Sequence, residues 1–172
     1  DFQRGYMVAF SASRAGWQQD INQPTFGEDY KAKATKVGPW GVFIMMQGET
    51  VPREENHLRL SADKKDAWGV PQLITSIGYD AENDEKMMKD FHEQFAEMYA
   101  KAGFTNIQLH ETHRMPGSEN HEMGGVRMGR DPKTSMLNAF NQMHHCKNVF
   151  VTDGSCMTST STQNPSLTYM AL

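Results

Sequence analysis

Two short polar stretches of this 172-residue chain contain the residue types that acid–base chemistry needs. The first, GSENHEMGGVRMGRDP, runs from Gly117 to Pro132 and places His121 just before a pair of glycines. Glycines at this density allow positive φ angles and a close approach of the backbone to a ligand. A histidine beside such a loop is a candidate general acid or base, because both of its protonation states are accessible near neutral pH.

The second stretch, STSTQNPSLTYMAL, runs from Ser159 to Leu172. Asparagine is favoured as a helix N-cap and proline at the first helical position, so Asn164 and Pro165 predict a helix that begins at the proline. A helix start also offers unpaired N–H groups and the positive end of the helix dipole, which suit a developing negative charge. We expect Tyr169–Leu172 to have little to pack against and to fray. Spacing in sequence does not show whether His121 and Asn164 meet.

A metal site is the alternative use of the histidines. His110 and His113 are three residues apart, and His121 follows further along the chain. Residues three apart in a strand point to opposite faces, so the first two histidines cannot easily reach one ion. The spacing also matches no zinc signature. We therefore predict no metal.

A non-catalytic carbohydrate-binding domain is a further alternative. Aromatic rings can stack on sugars, and Trp17, Trp40 and Trp68 are the candidate surfaces. Tryptophans this scattered along a chain are more often part of a core or an interface.

The composition excludes two classes of function. The net charge is -4 and the isoelectric point about 6.0, which argues against a nucleic-acid partner. The mean hydropathy is -0.66, and no apolar run approaches the ~18 residues of a membrane span. The N-terminus DFQRGYMVAF resembles no signal peptide and lacks an initiator methionine, so we expect a piece of a longer protein.

The hydrophobic pattern predicts an α+β fold with one dominant helix. That helix spans Glu82–Ala102, where apolar residues recur at three- and four-residue spacing, and Gly103 should end it. The first 36 residues read as irregular. The strand at Trp40–Glu49 should be covered on both faces, and the strand at Asn56–Ala62 should bury its leucines. The other predicted strands are Gln72–Asp80, Thr105–Glu111 and Lys147–Ser155.

Three ordered motifs, NHEMGGVRMGRDPKTS, NVFVTDGS and QNPSLTYMAL, resemble the C-terminal region of the glucose–methanol–choline (GMC) oxidoreductases. These are FAD-dependent enzymes that oxidise CH–OH groups, and the nearest branch is the bacterial gluconate- and sorbitol-type dehydrogenase flavoproteins. The resemblance implies that His121 takes the hydroxyl proton and that Asn164 holds the substrate oxygen. It also implies that Asp153 and Gly154 form a turn along the FAD, and that Asn164 and Pro165 face the flavin ring.

The same resemblance implies a domain arrangement. Residues 1–146 would be the substrate-domain region, a mixed and mainly antiparallel sheet with helices on one side. Residues 147–172 would be a C-terminal segment that returns to the FAD-binding domain. The dinucleotide fingerprint G-x-G-x-x-G is absent, so the N-terminal FAD-binding region should lie outside this chain, which alone should bind FAD weakly and be inactive.

The resemblance also implies partners. These are a small-molecule alcohol or sugar substrate, the missing N-terminal FAD-binding region and an electron-acceptor subunit. It leaves the bacterial cytoplasm and the periplasm both open as compartments.

Overall fold

The computed structural model of the chain describes residues 1–16, 26–78, 80–111 and 117–172. They form two compact units: Asp1–Tyr6 together with Gly48–Leu172, and Met7–Gln47. The described part contains helices and antiparallel strands, which confirms the predicted α+β class. None of its helices combines the length and apolar character needed to cross a bilayer.

The smaller unit is built on two paired strands, β1 (Tyr6–Arg14) and β2 (Trp40–Gly48), and a short helix, α1 (Gly27–Ala34). The prediction of an irregular first 36 residues is therefore wrong. β1 is stabilised by backbone pairing with a distant part of the chain, which no local sequence pattern reveals. Beside the strand ends, the amide of Gly38 donates a hydrogen bond of 2.9 Å to the carbonyl of Ala15. β2 matches its predicted bounds to within one residue. Its predicted covering on both faces is wrong, because Trp40 and Phe43 are about two-thirds exposed, at 67% and 65%.

The second pair of strands, β3 (His57–Lys65) and β4 (Pro71–Ser76), is an antiparallel hairpin. A turn closes it, in which the Asp66 carboxylate accepts hydrogen bonds from the amides of Trp68 and Val70, both at 2.9 Å. Leu60 lies opposite Leu73, and both are more than 60% exposed. The prediction that β3 buries its leucines is wrong in this chain, where the alternate face, at Ser61, is the buried one.

The predicted long helix is confirmed as α2 (Ala81–Lys101). Asp80 caps it by accepting a hydrogen bond from the amide of Asn83 at 3.2 Å. Its buried face carries Met87 and Phe91, which are 2% and 8% exposed. Gly103 follows the helix with φ of 83°, the left-handed conformation that commonly ends helices.

The N-terminal residues pack on α2. The Tyr6 ring meets Phe91 edge-on, with centroids 5.9 Å apart, and its hydroxyl donates to Asp90 Oδ2 at 2.7 Å. Burial, with help from the Asp90 carboxylate, raises the pKa of Tyr6 to about 12. Gln3 adds two hydrogen bonds to the Asn83 side chain, at 2.7 and 3.2 Å. These contacts attach the start of the chain to the helix.

Most of the described chain after α2 is irregular, and both strands predicted there are wrong. Residues 105–111 are coil, and Lys147–Ser155 contains one isolated bridge, between Gln142 and Phe150, followed by a 3₁₀ helix, Gly154–Cys156. Leu137, which is 0% exposed, bridges to Met128 on one side and Met143 on the other. A small core around Leu137 takes the place of a continuous sheet.

Candidate active site

The glycine-rich stretch runs alongside the segment that follows Asp153. The amides of Gly124, Val126 and Met128 donate in turn to the carbonyls of Gly154, Ser155 and Cys156, at 3.1, 3.0 and 2.9 Å. Gly124 and Gly125 have φ of 90° and 95°, which side chains rarely adopt, so the glycines at these positions are required by the backbone. These hydrogen bonds align the motif that contains His121 with the motif that contains Asp153.

The third motif reaches the same place through the C-terminal helix α3 (Ser166–Ala171). The Tyr169 hydroxyl lies 3.4 Å from the Met123 sulfur. A methyl group on Gly154 would lie 2.8 Å from the Glu122 carbonyl oxygen and 3.1 Å from both of those atoms. We call the meeting point of Met123, Gly154 and Tyr169 the three-segment junction. It holds the three motifs so closely that only glycine fits at its centre.

Asp153 shapes the turn beside this junction. Its Oδ1 accepts hydrogen bonds from the amide and hydroxyl of Ser155, which cap the 3₁₀ helix. These bonds lower the pKa of Asp153, so it is ionised at neutral pH. Burial, with the Asp153 charge, raises the pKa of the fully buried Cys156 thiol nearby.

Helix α3 begins one residue later than predicted. Pro165 is the N-cap, with φ of -92° and ψ of -7°, and its carbonyl accepts from the amides of Thr168 and Tyr169 at 2.9 and 3.3 Å. The prediction that Asn164 caps the helix is wrong: proline itself occupies the cap position, and the exposed Asn164 side chain has no hydrogen-bond partner among the described residues. The expectation that Tyr169–Leu172 has little to pack against is wrong for Tyr169, which the junction half-buries, but it holds for Met170 and Leu172, which are exposed.

His121 lies two residues before Met123 and is half-buried. Its side chain makes no hydrogen bond within the part of the chain that the structure describes. The three-segment junction therefore links the chain segment that carries His121 to the segment that carries Asn164. Their catalytic roles stay predictions.

Of the other histidines, two were considered as metal ligands and a third holds a turn. His110 is exposed in coil and His113 lies outside the described residues, and no cluster of three metal-ligating side chains occurs within the described ranges. His144 has a structural role: its Nε2 lies 3.1 Å from the Gly129 carbonyl and 3.3 Å from Ser135 Oγ. This contact stabilises the turn after the glycine-rich stretch.

One contact at the site escaped sequence reasoning altogether. The Ser159 hydroxyl, in the polar stretch before Asn164, donates to Glu49 Oε1. The two residues are 110 positions apart, and no local pattern connects them.

Comparison with known proteins identifies the family. Residues 52–172 match the family described as GMC oxidoreductase through its C-terminal domain. The chain belongs to the GMC oxidoreductases. This match covers all three motifs, and it confirms the resemblance seen in the sequence. The family is flavin-dependent.

Curated relatives extend the similarity to the N-terminus. The fructose dehydrogenase large subunit of Gluconobacter japonicus is 31% identical over 171 residues, which are 99% of this chain and 30% of that protein. The 2-methyl-1,2-propanediol dehydrogenase of Mycolicibacterium austroafricanum is 28% identical over 100% of the chain and 32% of its own length. The paromamine 6'-oxidase of Streptomyces fradiae is 34% identical over 70% of the chain and 22% of its own length. The chain thus spans a third or less of these relatives.

Proposed function

We propose that the full-length protein containing this chain is an FAD-dependent oxidoreductase that oxidises a CH–OH group of an alcohol, polyol, sugar or sugar acid. Membership of the GMC family supports the reaction class, and the names of the relatives, a fructose and a diol dehydrogenase among them, support a hydroxyl-bearing substrate. All the relatives named above are oxidoreductases, which favours this function over a carbohydrate-binding domain.

The observation that carries the proposal is the three-segment junction. It brings the segments that contain His121, Asp153 and Asn164 into contact through Met123, Gly154 and Tyr169. Met123 and Tyr169, which meet there, are 46 positions apart in the sequence. A site that must present a base and an amide to one substrate needs this kind of fixed arrangement.

The segments that meet at the junction carry groups that a flavin and its substrate would use. The imidazole of His121 and the amide of Asn164 have no partner among the described residues, so both can bind a ligand. Asp153 is ionised and holds its turn with Oδ1, which leaves Oδ2 to accept a hydrogen bond from a cofactor hydroxyl. Gly154 and Pro165 are half-buried and buried within this chain, so their part would be to hold the neighbouring Asp153 and Asn164 in place beside the cofactor.

In the proposed reaction, His121 accepts the proton of the substrate hydroxyl as a general base. The Asn164 amide donates a hydrogen bond to the same oxygen and orients the carbon that loses hydride. When bound, FAD supplies the hydride acceptor. The positioning of the substrate and the movement of its proton are the contribution of this chain.

Two partners complete the proposal. An FAD-binding region supplied by the rest of the protein would hold the dinucleotide portion of the cofactor. An electron-acceptor subunit would reoxidise it, and the word "subunit" in the name of the Gluconobacter relative supports this assembly.

The test is the rate of flavin reduction in the full-length protein, mixed without oxygen with a panel of sugars and 1,2-diols. We expect at least one substrate to bleach the flavin, and His121→Ala to slow bleaching by about 100-fold or more, the scale of a lost general base. His145→Ala is the matched control, because that histidine is exposed and lies away from the junction residues in sequence. A His121→Ala variant as fast as the unmodified protein would remove His121 from the active site.

A further inference from the structure

Glu49 has an unusual environment for a glutamate. It follows directly after β2, and its side chain is only 12% exposed. Arg4 Nη1 lies 3.5 Å from its Oε1, and its own amide donates to the Gly5 carbonyl at 3.1 Å. Burial of a carboxylate is unfavourable unless it is paired and hydrogen-bonded. The Arg4 guanidinium provides the compensating charge, and the backbone bond holds the residue itself in place.

Ser159 uses this fixed carboxylate. Its hydroxyl donates to Glu49 Oε1 and accepts from the amide of Ser161 at 3.2 Å. Ser161 has φ of 59°, a left-handed conformation that is strained for serine unless its surroundings hold it. The hydroxyl of Ser159 therefore closes a tight turn whose orientation depends on Glu49.

The turn leads directly to Asn164. The Thr160 hydroxyl donates to the Gln163 carbonyl at 3.3 Å, so the turn is tied to the residue just before the asparagine. Asn164 itself has no side-chain partner among the described residues, and its neighbour Pro165 is buried. Its approach to the substrate is therefore set by the path of residues 159–163.

We propose that Glu49 is a positioning residue for the oxidation: through Ser159 it sets the turn that presents Asn164 to the substrate. The inference rests on the proposed function, and it adds a residue that the family match, which begins at residue 52, does not include. The proposal gives Glu49 no direct contact with substrate or cofactor. Its effect on the reaction passes through Asn164.

The first test measures the turn without activity. Hydrogen exchange of peptides covering residues 157–165 is followed in the full-length protein. Glu49→Ala should speed exchange in these peptides at least several-fold, while Glu49→Gln, which keeps an oxygen to accept the Ser159 hydroxyl, should change it less. Glu54→Ala removes the same charge from an exposed position and is the control. Unchanged exchange in Glu49→Ala overturns the inference, whatever the enzyme oxidises.

The second test is a double-mutant cycle on the rate of flavin reduction. Glu49→Ala should slow reduction about tenfold with little change in substrate affinity, since small misplacements of a positioned group are costly. The same substitution in an Asn164→Ala background should cost less than twofold, because the group it positions is gone. Full additivity of the two substitutions overturns the inference while leaving the proposed function standing.

The failures of the two proposals are distinguishable. If no sugar or diol reduces the flavin of the unmodified protein, the proposed function fails, and hydrogen exchange alone then shows whether Glu49 holds the turn. If reduction occurs but Asn164→Ala does not slow it, the oxidation stands and the positioning role is overturned.

Discussion

Replacement of Gly154 by alanine is the most direct test of the three-segment junction. The new methyl group would lie 2.8 Å from the Glu122 carbonyl oxygen and 3.1 Å from the Met123 sulfur and the Tyr169 hydroxyl. Two of these neighbours are ends of side chains and can move, but the closest is backbone. Overpacking of this kind costs about 1–3 kcal/mol, and with backbone as the nearest atom we expect about 2 kcal/mol.

The assay is thermal unfolding of the 172-residue chain, followed by circular dichroism. For a chain of this size, about 2 kcal/mol corresponds to a fall in Tm of roughly 4–8 °C. Gly5→Ala is the control, because nothing lies within 4 Å of the added methyl and its φ is not positive, so its effect should stay within about 0.5 kcal/mol. If Gly154→Ala had the same Tm as Gly5→Ala, the close approach of the three segments would be refuted.

Two further predictions follow from the ionisable groups. Tyr6→Phe removes the hydrogen bond to Asp90 and should lower the free energy of unfolding by about 1 kcal/mol. Folding raises the pKa of Tyr6 to about 12. The difference in unfolding free energy between the two proteins should therefore be complete below pH ~10 and vanish as the pH rises through about 12, as urea titrations across the alkaline range would show. Asp153→Ala removes the cap of the 3₁₀ helix and should cost about 1 kcal/mol, whereas Asp153→Asn should cost less, since its side-chain oxygen can still accept. The pKa of Asp153 is lowered on folding, so the alanine penalty should be present at neutral pH and shrink as the pH falls below about 4; a penalty independent of pH would contradict this account.

The elements that the sequence predicted well are those with local causes. Helix α2 follows from the spacing of Met87 and Phe91 and from Gly103 as a terminator, all within one stretch of chain. Strand β1 was missed because its partner, β2, lies more than 20 residues away, and only that pairing makes it a strand. Thr105–Glu111 has the composition of a strand but no partner within the described residues.

The faces of the strands were harder to predict than their existence. Alternation in β3 separates Leu58 and Leu60 from Ser61, but it does not say which side is covered. In the described chain the leucine side is open and the serine is buried.

The candidate site also has some features that the local sequence predicts and others that depend on the folded chain. The motifs around His121, Asp153 and Asn164 were recognisable because their residue types and order are distinctive. The role of Asn164 as a cap was predicted wrongly, because local preference cannot tell whether the asparagine or the proline after it occupies the boundary position. Glu49 was not predictable, since its importance depends on a contact with Ser159 that only the folded chain creates.

The contact between Met123 and Tyr169 also has a consequence for synthesis on the ribosome. The tyrosine is made 46 residues after the methionine. At about 5–20 residues per second, this separation corresponds to roughly 2–9 seconds of translation. Throughout that interval the histidine-bearing loop is already made but lacks the helix that completes its surroundings. The loop that carries His121 therefore reaches its final packing only after Tyr169 has been made.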